Sequence, residues 1–313
     1  MFSNAGAGMN WLVWLVRGWL MQSASSVAMD AVREATRSQT GQPSNQAAAN
    51  SAGKPAAAAE DDEDDSVAPV SVVIVAALNI EIAPLLAKLE KAKKVMGGDF
   101  VFHGGFWKGQ RIAIVESGVG LSRAKRATHA AIDAFQPQWI ISAGFAGGLD
   151  PQIPRGSIVA ATSVKLFDSQ EPPIALGLGM SPDPASRLFT GPVVTVPKIV
   201  RTVQEKQVVF GSTQALAAEM ETWGVADVCR TRKCRMLAIR VISDDAKTTL
   251  PAEILTVAGP TGSVRAGALL GAILNRPGSV SDLWKLREEA HQSAERLSRF
   301  LESMLPTLLA KAD

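Results

Sequence analysis

The chain has 313 residues, of which 47% are hydrophobic and 20% charged, enough apolar sequence for one large domain or two small ones. Its 32 basic and 30 acidic residues give a formal net charge of +2, so the overall charge does not favour a nucleic-acid-binding protein. Cys229 and Cys234 have no histidine cluster nearby. This pattern is typical of neither a zinc site nor a disulfide scaffold and predicts reduced thiols in a cytoplasmic protein.

Residues 1–38 form an N-terminal apolar and amphipathic segment in which Trp11, Trp14 and Trp19 fall between positions 9 and 21. Thirteen residues are too few to cross a bilayer, and nothing before Arg17 is positive, as a secretory signal would require. Two interpretations remain open: a helix in weak contact with a membrane surface, or one that docks on another surface. Alternatively, the true start is Met21 or Met29.

Residues 39–69 consist mainly of Ala, Ser, Gln, Asn, Gly and Pro, with an acidic run from Glu60 to Asp65. Such a composition buries too little apolar surface to offset the entropy of the chain, and it predicts a disordered acidic linker. We therefore expect the folded domain to span residues 70–313.

From residue 70 onward, β-branched apolar runs alternate with amphipathic stretches, which predicts an α/β layered domain. The predicted strands are Val70–Ala77, Arg111–Glu116, Trp139–Ala143, Ser157–Ala161, Pro192–Val196 and Met236–Ile242. The predicted helices are Glu81–Lys91, Leu121–Ala134, Ala215–Thr231 and Val280–Leu305.

Four polar or glycine-rich motifs follow predicted strands: Ala77–Glu81, Ser117–Gly120, Gly144–Gly148 and Ser243-Asp244. Because ligands of open α/β sheets bind at the carboxyl ends of strands, we expect these motifs to meet at one site. Gly118-x-Gly120 lacks the third glycine of a dinucleotide fingerprint, so we expect no nicotinamide cofactor.

Two carboxylates in different surroundings are expected at that site, Glu221 on a helix and Asp244 at a strand end. Such a pair can divide its work at one pH, because one group stays ionised while the other keeps a proton. This division suits cleavage of an N-glycosidic bond.

In these motifs the chain resembles the purine nucleoside phosphorylase and nucleosidase superfamily, particularly the methylthioadenosine/S-adenosylhomocysteine nucleosidases. The resemblance rests on five motifs in the family's order: Ala76–Glu81, Glu116–Gly120, Ser142–Gly148, Glu219–Glu221 and Ile242–Asp244. It implies a three-layer α/β/α fold with a central mixed twisted sheet, and an enzyme that needs neither cofactor nor metal.

By resemblance, Asp244 is the general acid that protonates N7 of the purine, next to Ser243. The neighbouring Asp245 either helps to keep that proton on Asp244 or is a helix cap or a surface carboxylate. Glu221 accepts the ribose hydroxyls, Met220 lies under the ribose, and Glu219 begins the same turn.

Glu81 is expected to activate water, which favours a nucleosidase over a phosphorylase. Ser117 and Gly118 hold that water or, in the rival interpretation, a phosphate. Arg123 and Lys125 keep the phosphorylase alternative open.

A segment of small residues, Ala143 and Gly144 with Phe145, resembles the loop that contacts the base. Phe145 either stacks on the base or packs inward. We expect Ile199 to lie at the edge of the adenine.

The predicted function is hydrolysis of 5′-methylthioadenosine or S-adenosylhomocysteine by a cytoplasmic homo-oligomer, most simply a dimer. Residues 167–189 are rich in Pro and Gly, and we expect them to form a lid. After Asp244, residues 247–276 make the C-terminal tail longer than that of a typical nucleosidase. This tail resembles that of hopanoid-associated phosphorylases, which leaves a lipid-linked adenosine open as the substrate. A nucleoside-binding protein without turnover is the remaining alternative.

Overall fold

The structure, a computed structural model, describes residues 70–177, 179–252 and 279–310. The predicted N-terminal segment, the predicted linker and most of the predicted tail at 247–276 lie outside the described residues.

The strands are β1 (Val72–Ala76), β2 (Glu90–Gly97), β3 (Phe100–Trp107), β4 (Gln110–Glu116), β5 (Trp139–Gly148), β6 (Ile158–Leu166), β7 (Ile174–Ala175), β8 (Leu188–Thr195), β9 (Ala217–Glu219) and β10 (Arg235–Asp244). The helices are α1 (Asn79–Leu86), α2 (Leu121–Phe135), α3 (Val203–Thr213), α4 (Thr222–Arg232) and α5 (Ser279–Ala310).

The ten strands form one mixed sheet in the order β10-β6-β8-β9-β5-β1-β4-β3-β2, with β7 beside β6. β5 lies at its centre, parallel to β1 and β10 and antiparallel to β9. All five residues of β1 are buried because helices cover both faces of this part of the sheet.

Two hydrophobic clusters separate the sheet from its helices and confirm the three-layer architecture with a mixed sheet. On one face, Ile82 of α1 and Leu297 of α5 pack against β1 and β5. On the other, Ala127 of α2 and Val225 of α4 fill the core. A buried stripe of alanines lets α2 approach the sheet closely.

The predicted helix Glu81–Lys91 is wrong in its second half, because α1 ends at Leu86 and the chain turns into the hairpin of β2 and β3. β2 is an edge strand with only Gly97 buried, so it carries no apolar alternation that a pattern could reveal.

The predicted helix Ala215–Thr231 is also wrong at its start. Residues 217–219 pair with β8 and β5 as strand β9, and α4 begins only at Thr222. α3 was not predicted: its only buried residues are Lys206 and Val209, so it has no apolar stripe.

The glycine-rich segment Gly144–Gly148 is not a loop. It continues β5, because β10 pairs with it on one side and β9 pairs with its end on the other. Its small side chains let other groups lie directly against the strand.

Candidate active site

Glu81 sits in the first turn of α1 with its carboxylate folded back over the end of β1. Oε2 accepts hydrogen bonds from the backbone N–H groups of Ala77 (3.0 Å) and Leu78 (2.9 Å), and Oε1 accepts one from Phe145 (2.8 Å). Burial raises the pKa of Glu81, while the hydrogen bond from Phe145 opposes that rise. The group is therefore a rigidly held carboxylate with more affinity for a proton than an ordinary glutamate.

Gly144 provides the space for this carboxylate. A Cβ at this position would lie 2.7 Å from Glu81 Oε1 and 3.1 Å from its carboxyl carbon. No side chain fits there while Glu81 keeps its hydrogen bonds.

Arg240 lies opposite Gly144 in the register of β10 and β5, and only 1% of it is exposed. Its Nη2 lies 2.8 Å from each of three acceptors: Ser142 Oγ, Glu219 Oε2 and Thr222 Oγ1. Desolvation would lower the pKa of Arg240, but the neighbouring carboxylates, Glu219 first, raise it.

Sequence reasoning missed Arg240, although a signal was present. It is the one charged residue between Met236 and Ile242, and a charge in a buried strand requires a partner. Among the described residues, its buried Nε–H finds no acceptor.

Glu219 uses both carboxylate oxygens within the protein. Oε1 accepts the hydroxyl of Thr195, and Oε2 accepts the N–H groups of Glu221 (2.9 Å) and Thr222 (2.7 Å) besides Arg240. Burial opposes ionisation, but Arg240 and these hydrogen bonds hold the pKa of Glu219 below its usual value. Glu219 therefore fixes Arg240 and the start of α4, and its contact with substrate stays a prediction.

Glu221 is the N-cap residue of α4 and not part of a helix turn with Glu219. Its Oε1 accepts the N–H of Gly120 at 2.8 Å, and its Oε2 accepts that of Met220 at 3.3 Å. Burial and the negative charge of Glu219 raise the pKa of Glu221 to about 8. Glu81 adds to this rise, so the two carboxylates are close enough to feel each other's charge.

The segment Ser117–Gly120 was predicted to hold water or phosphate, but most of its backbone N–H groups already donate hydrogen bonds within the protein. The N–H groups of Ser117 and Gly118 donate to Ala76 O (2.8 Å) and Ala77 O (3.0 Å), and that of Gly120 donates to Glu221. The guanidinium of Arg123 lies against Gly118, where it would block any side chain. Lys125 instead pairs with Asp227 at 2.6 Å.

Asp244 ends β10, opposite Gly147 of β5, and is 5% exposed. Its Oδ1 accepts the hydroxyl of Ser243 at 2.7 Å, and its Oδ2 accepts Lys206 Nζ at 2.6 Å. Sequence reasoning missed Lys206 because the helix that carries it was not predicted.

Asp245 is a cap, but of a turn and not of the helix that was one of its predicted alternatives. Its Oδ1 accepts the N–H of Lys247 at 3.0 Å and the hydroxyl of Thr248 at 2.8 Å, so it caps the turn after β10. It makes no hydrogen bond to Asp244 among those of the described residues.

The site residues lie beside two glycines of the same strand, β5: one group of them is next to Gly144, and Asp244 is next to Gly147. Three residues along a strand span roughly 10 Å, a length on the scale of a nucleoside. Glu81, Glu221 and Arg240 form the group at Gly144, and Asp244 lies opposite Gly147.

Comparison with known proteins identifies the family of the chain. The profile of the phosphorylase superfamily matches residues 71–275. The chain belongs to the phosphorylase superfamily.

Curated relatives in this superfamily include the 5′-methylthioadenosine/S-adenosylhomocysteine nucleosidases of Desulfotalea psychrophila and Colwellia psychrerythraea. They are 26% and 27% identical over 205 and 206 residues, which cover 58% and 57% of this chain and 88% and 85% of theirs. The crystal structure of the nucleosidase of Helicobacter pylori superposes with a TM-score of 0.57 and 20% identity. That alignment covers 77% of this chain and 99% of the other, and it supports the fold.

The remaining predicted site residues of this superfamily member lie in β5 or shortly after β8 and β9. Ala143 is buried in β5, and Phe145 packs in part against the cluster beneath α1 and α5, the inward-packed alternative. Met220 is half-buried beside the cluster around Val194, and Ile199 is half-buried in the segment after β8.

Within residues 70–177, 179–252 and 279–310, the His, Cys, Asp and Glu side chains form no group that could hold a metal ion. In the same ranges, every helix is too short or too polar to cross a bilayer.

Proposed function

We propose that this chain is an N-ribosyl hydrolase that releases adenine from 5′-methylthioadenosine or S-adenosylhomocysteine. The observation that carries the proposal is the buried Glu81 carboxylate, held by three backbone N–H groups beside Glu221 and Arg240. The names of the matched relatives support the same substrates.

Glu81 is the base for the attacking water in this proposal. Its raised pKa suits it to take a proton, and its three hydrogen bonds fix the direction in which it does so. Water thus attacks the anomeric carbon, and its proton passes to Glu81.

Glu221 binds the ribose. Two neighbouring hydroxyls of a ribose donate to a carboxylate that is ionised, and the negative charge then stabilises the positive sugar at the transition state. Because the pKa of Glu221 is about 8 without substrate, binding of the sugar must displace its proton.

Asp244 lies at the other end of the site, where the purine leaves. A proton delivered there to N7 lets the base depart as a neutral molecule, which typically contributes roughly 10² to 10⁴ in rate. Ser243 holds one oxygen of Asp244 in place.

A phosphorylase remains the second candidate, because the guanidinium of Arg123 lies against Gly118 and phosphate binds readily to such a group. Against it, the N–H groups of Ser117, Gly118 and Gly120 are already used within the protein. Those donors would be needed for a dianion.

The test is adenine release from 5′-methylthioadenosine, S-adenosylhomocysteine and adenosine, each with and without phosphate. We expect release without phosphate, abolished in E81Q and reduced roughly 10² to 10⁴-fold in D244N with ligand binding retained. Release that depends strictly on phosphate and survives in E81Q selects the phosphorylase. Adenine binding without turnover at any pH selects a binding protein.

We further propose that the enzyme works in the cytoplasm as a homodimer. Light scattering of the full chain tests the dimer, and a monomer at working concentration would contradict it. Vesicle flotation tests the proposed weak membrane contact of residues 9–21.

A further inference from the structure

Lys206 is a fully buried lysine that the proposed mechanism does not yet use. Its Nζ donates to Asp244 Oδ2 (2.6 Å), Asp245 O (2.6 Å) and Thr248 O (2.9 Å). An ammonium group has three N–H donors, so all of them are used. Burial of a charged lysine is costly without such partners, so the three acceptors around Lys206 are needed to keep its ammonium group buried.

The start of α3 fixes Lys206 in place. Thr202 caps the helix by accepting the N–H of Glu205 at 3.1 Å, and the Glu205 carboxylate accepts the N–H of Thr202 at 2.8 Å. Lys206 is the first residue after this capping box, and its N–H donates to Thr202 O at 3.0 Å. One turn on, the buried Val209 anchors the helix against the core.

This arrangement has a consequence for Asp244. Both of its oxygens accept hydrogen bonds, one from the Ser243 hydroxyl and one from the Lys206 ammonium. The two groups that can pass a proton to Asp244 in this geometry are therefore the Ser243 hydroxyl and the Lys206 ammonium. Transfer from Ser243 would leave an alkoxide, whereas transfer from Lys206 leaves a neutral amine.

We propose that Lys206 is a positioning residue for base departure, which acts through Asp244 by aligning its carboxylate and supplying its proton. This inference rests on the proposed function and extends it. As the bond between the anomeric carbon and N9 breaks, its electron pair enters the purine. N7 takes a proton from Asp244, and Asp244 takes one from Lys206. Solvent then returns a proton to Lys206, and Glu81 releases to solvent the proton it took from water.

A double-mutant cycle tests the link between the two residues. We expect K206M to lower kcat on 5′-methylthioadenosine about 10²-fold or more, and to add nothing further in the D244N background. Losses that multiply in the double variant would overturn the proposal, because Lys206 would then act independently of Asp244. K247M is the matched control, since Lys247 is exposed three residues after Asp244, and it should retain wild-type kcat.

The leaving group gives a readout that does not depend on how much enzyme is folded. The leaving group of 4-nitrophenyl riboside is 4-nitrophenolate, a stable anion that needs no proton to depart. The ratio of kcat on 5′-methylthioadenosine to kcat on this riboside should therefore fall about 10²-fold in K206M. An unchanged ratio would show a purely structural role and refute the inference, even if K206M is unstable.

K206R separates proton supply from charge. Arginine keeps the positive charge but does not give up a proton in proteins, so K206R should not recover kcat on 5′-methylthioadenosine. Full recovery would refute the proton supply. If wild-type enzyme releases no adenine with or without phosphate, the proposed function itself has failed, which is a different result from an unchanged ratio in an active enzyme.

Discussion

Gly144→Ala is the substitution whose effect the structure predicts in most detail. The new Cβ would lie 2.7 Å from Glu81 Oε1, whereas ordinary contact begins at 3.4 Å, so the carboxylate must retreat by about 0.7 Å. It cannot do so without lengthening its hydrogen bonds to Ala77, Leu78 and Phe145.

The magnitude follows from what those bonds contribute. Hydrogen bonds to a charged group are each worth about 1.5–3 kcal/mol net, so weakening one or two should destabilise the fold by about 2–4 kcal/mol. A misplacement of about 1 Å at a reacting group typically costs about 10²-fold in rate. We therefore expect G144A to lose about 10²-fold in kcat/KM for adenine release.

The assay combines adenine release with urea unfolding, and Gly211→Ala serves as the control. Nothing lies within 4 Å of a Cβ at Gly211 in α3, and alanine is favoured over glycine in a helix by up to about 1 kcal/mol. G211A should therefore be active and slightly more stable.

A second variant separates steric overlap from other effects. The shorter side chain in G144A/E81D relieves the overlap, so stability should partly return while activity stays low. A G144A enzyme within threefold of wild-type kcat/KM would refute the view that Glu81 is held rigidly as the base.

Three further predictions concern charge and domain limits. First, Glu221 has a pKa of about 8 in the folded chain against an ordinary value of 4.5, so the folded state keeps a proton that the unfolded state releases. Stability should therefore fall as pH rises from about 4.5 to about 8. The Tm should decrease across this range in wild type and decrease less in E221Q. Equal dependence of Tm on pH in the two proteins would contradict the prediction. Second, R240M leaves Glu219 buried without its counter-charge and should cost about 3–5 kcal/mol in urea unfolding, with unchanged stability counting against the buried pair. Third, deleting residues 1–66 should preserve kcat/KM, because the sheet is already anchored at Ser71, whose carbonyl accepts the N–H groups of Gln138 and Trp139; an inactive but folded truncation would contradict this limit.

The sequence predicted the parts of the fold whose burial is uniform. β1, β4 and α2 are surrounded by core, and their apolar runs or stripes reflect that surrounding. β2 and α3 were missed because one is an exposed edge and the other buries a lysine and a valine. For such elements tertiary contacts, and not local patterns, decide the conformation.

The site shows the same division. Glu81, Glu221 and Asp244 stand in short motifs that the chain displays directly. The partners Arg240 and Lys206 act from distant positions, and no local pattern says which carboxylate each of them faces. The hydrogen bonds of Glu219 likewise depend on Thr195 and α4 meeting in space.

The contact between the Gly120 amide and Glu221 joins groups 101 positions apart. Glu81 lies still earlier in the chain, and Asp244 later. During synthesis, therefore, a nascent chain that ends before residue 244 lacks Asp244 and the end of β10 that places it beside β5. The complete site of Glu81, Glu221 and Asp244 therefore requires β10, which comes after all the other strands in the chain.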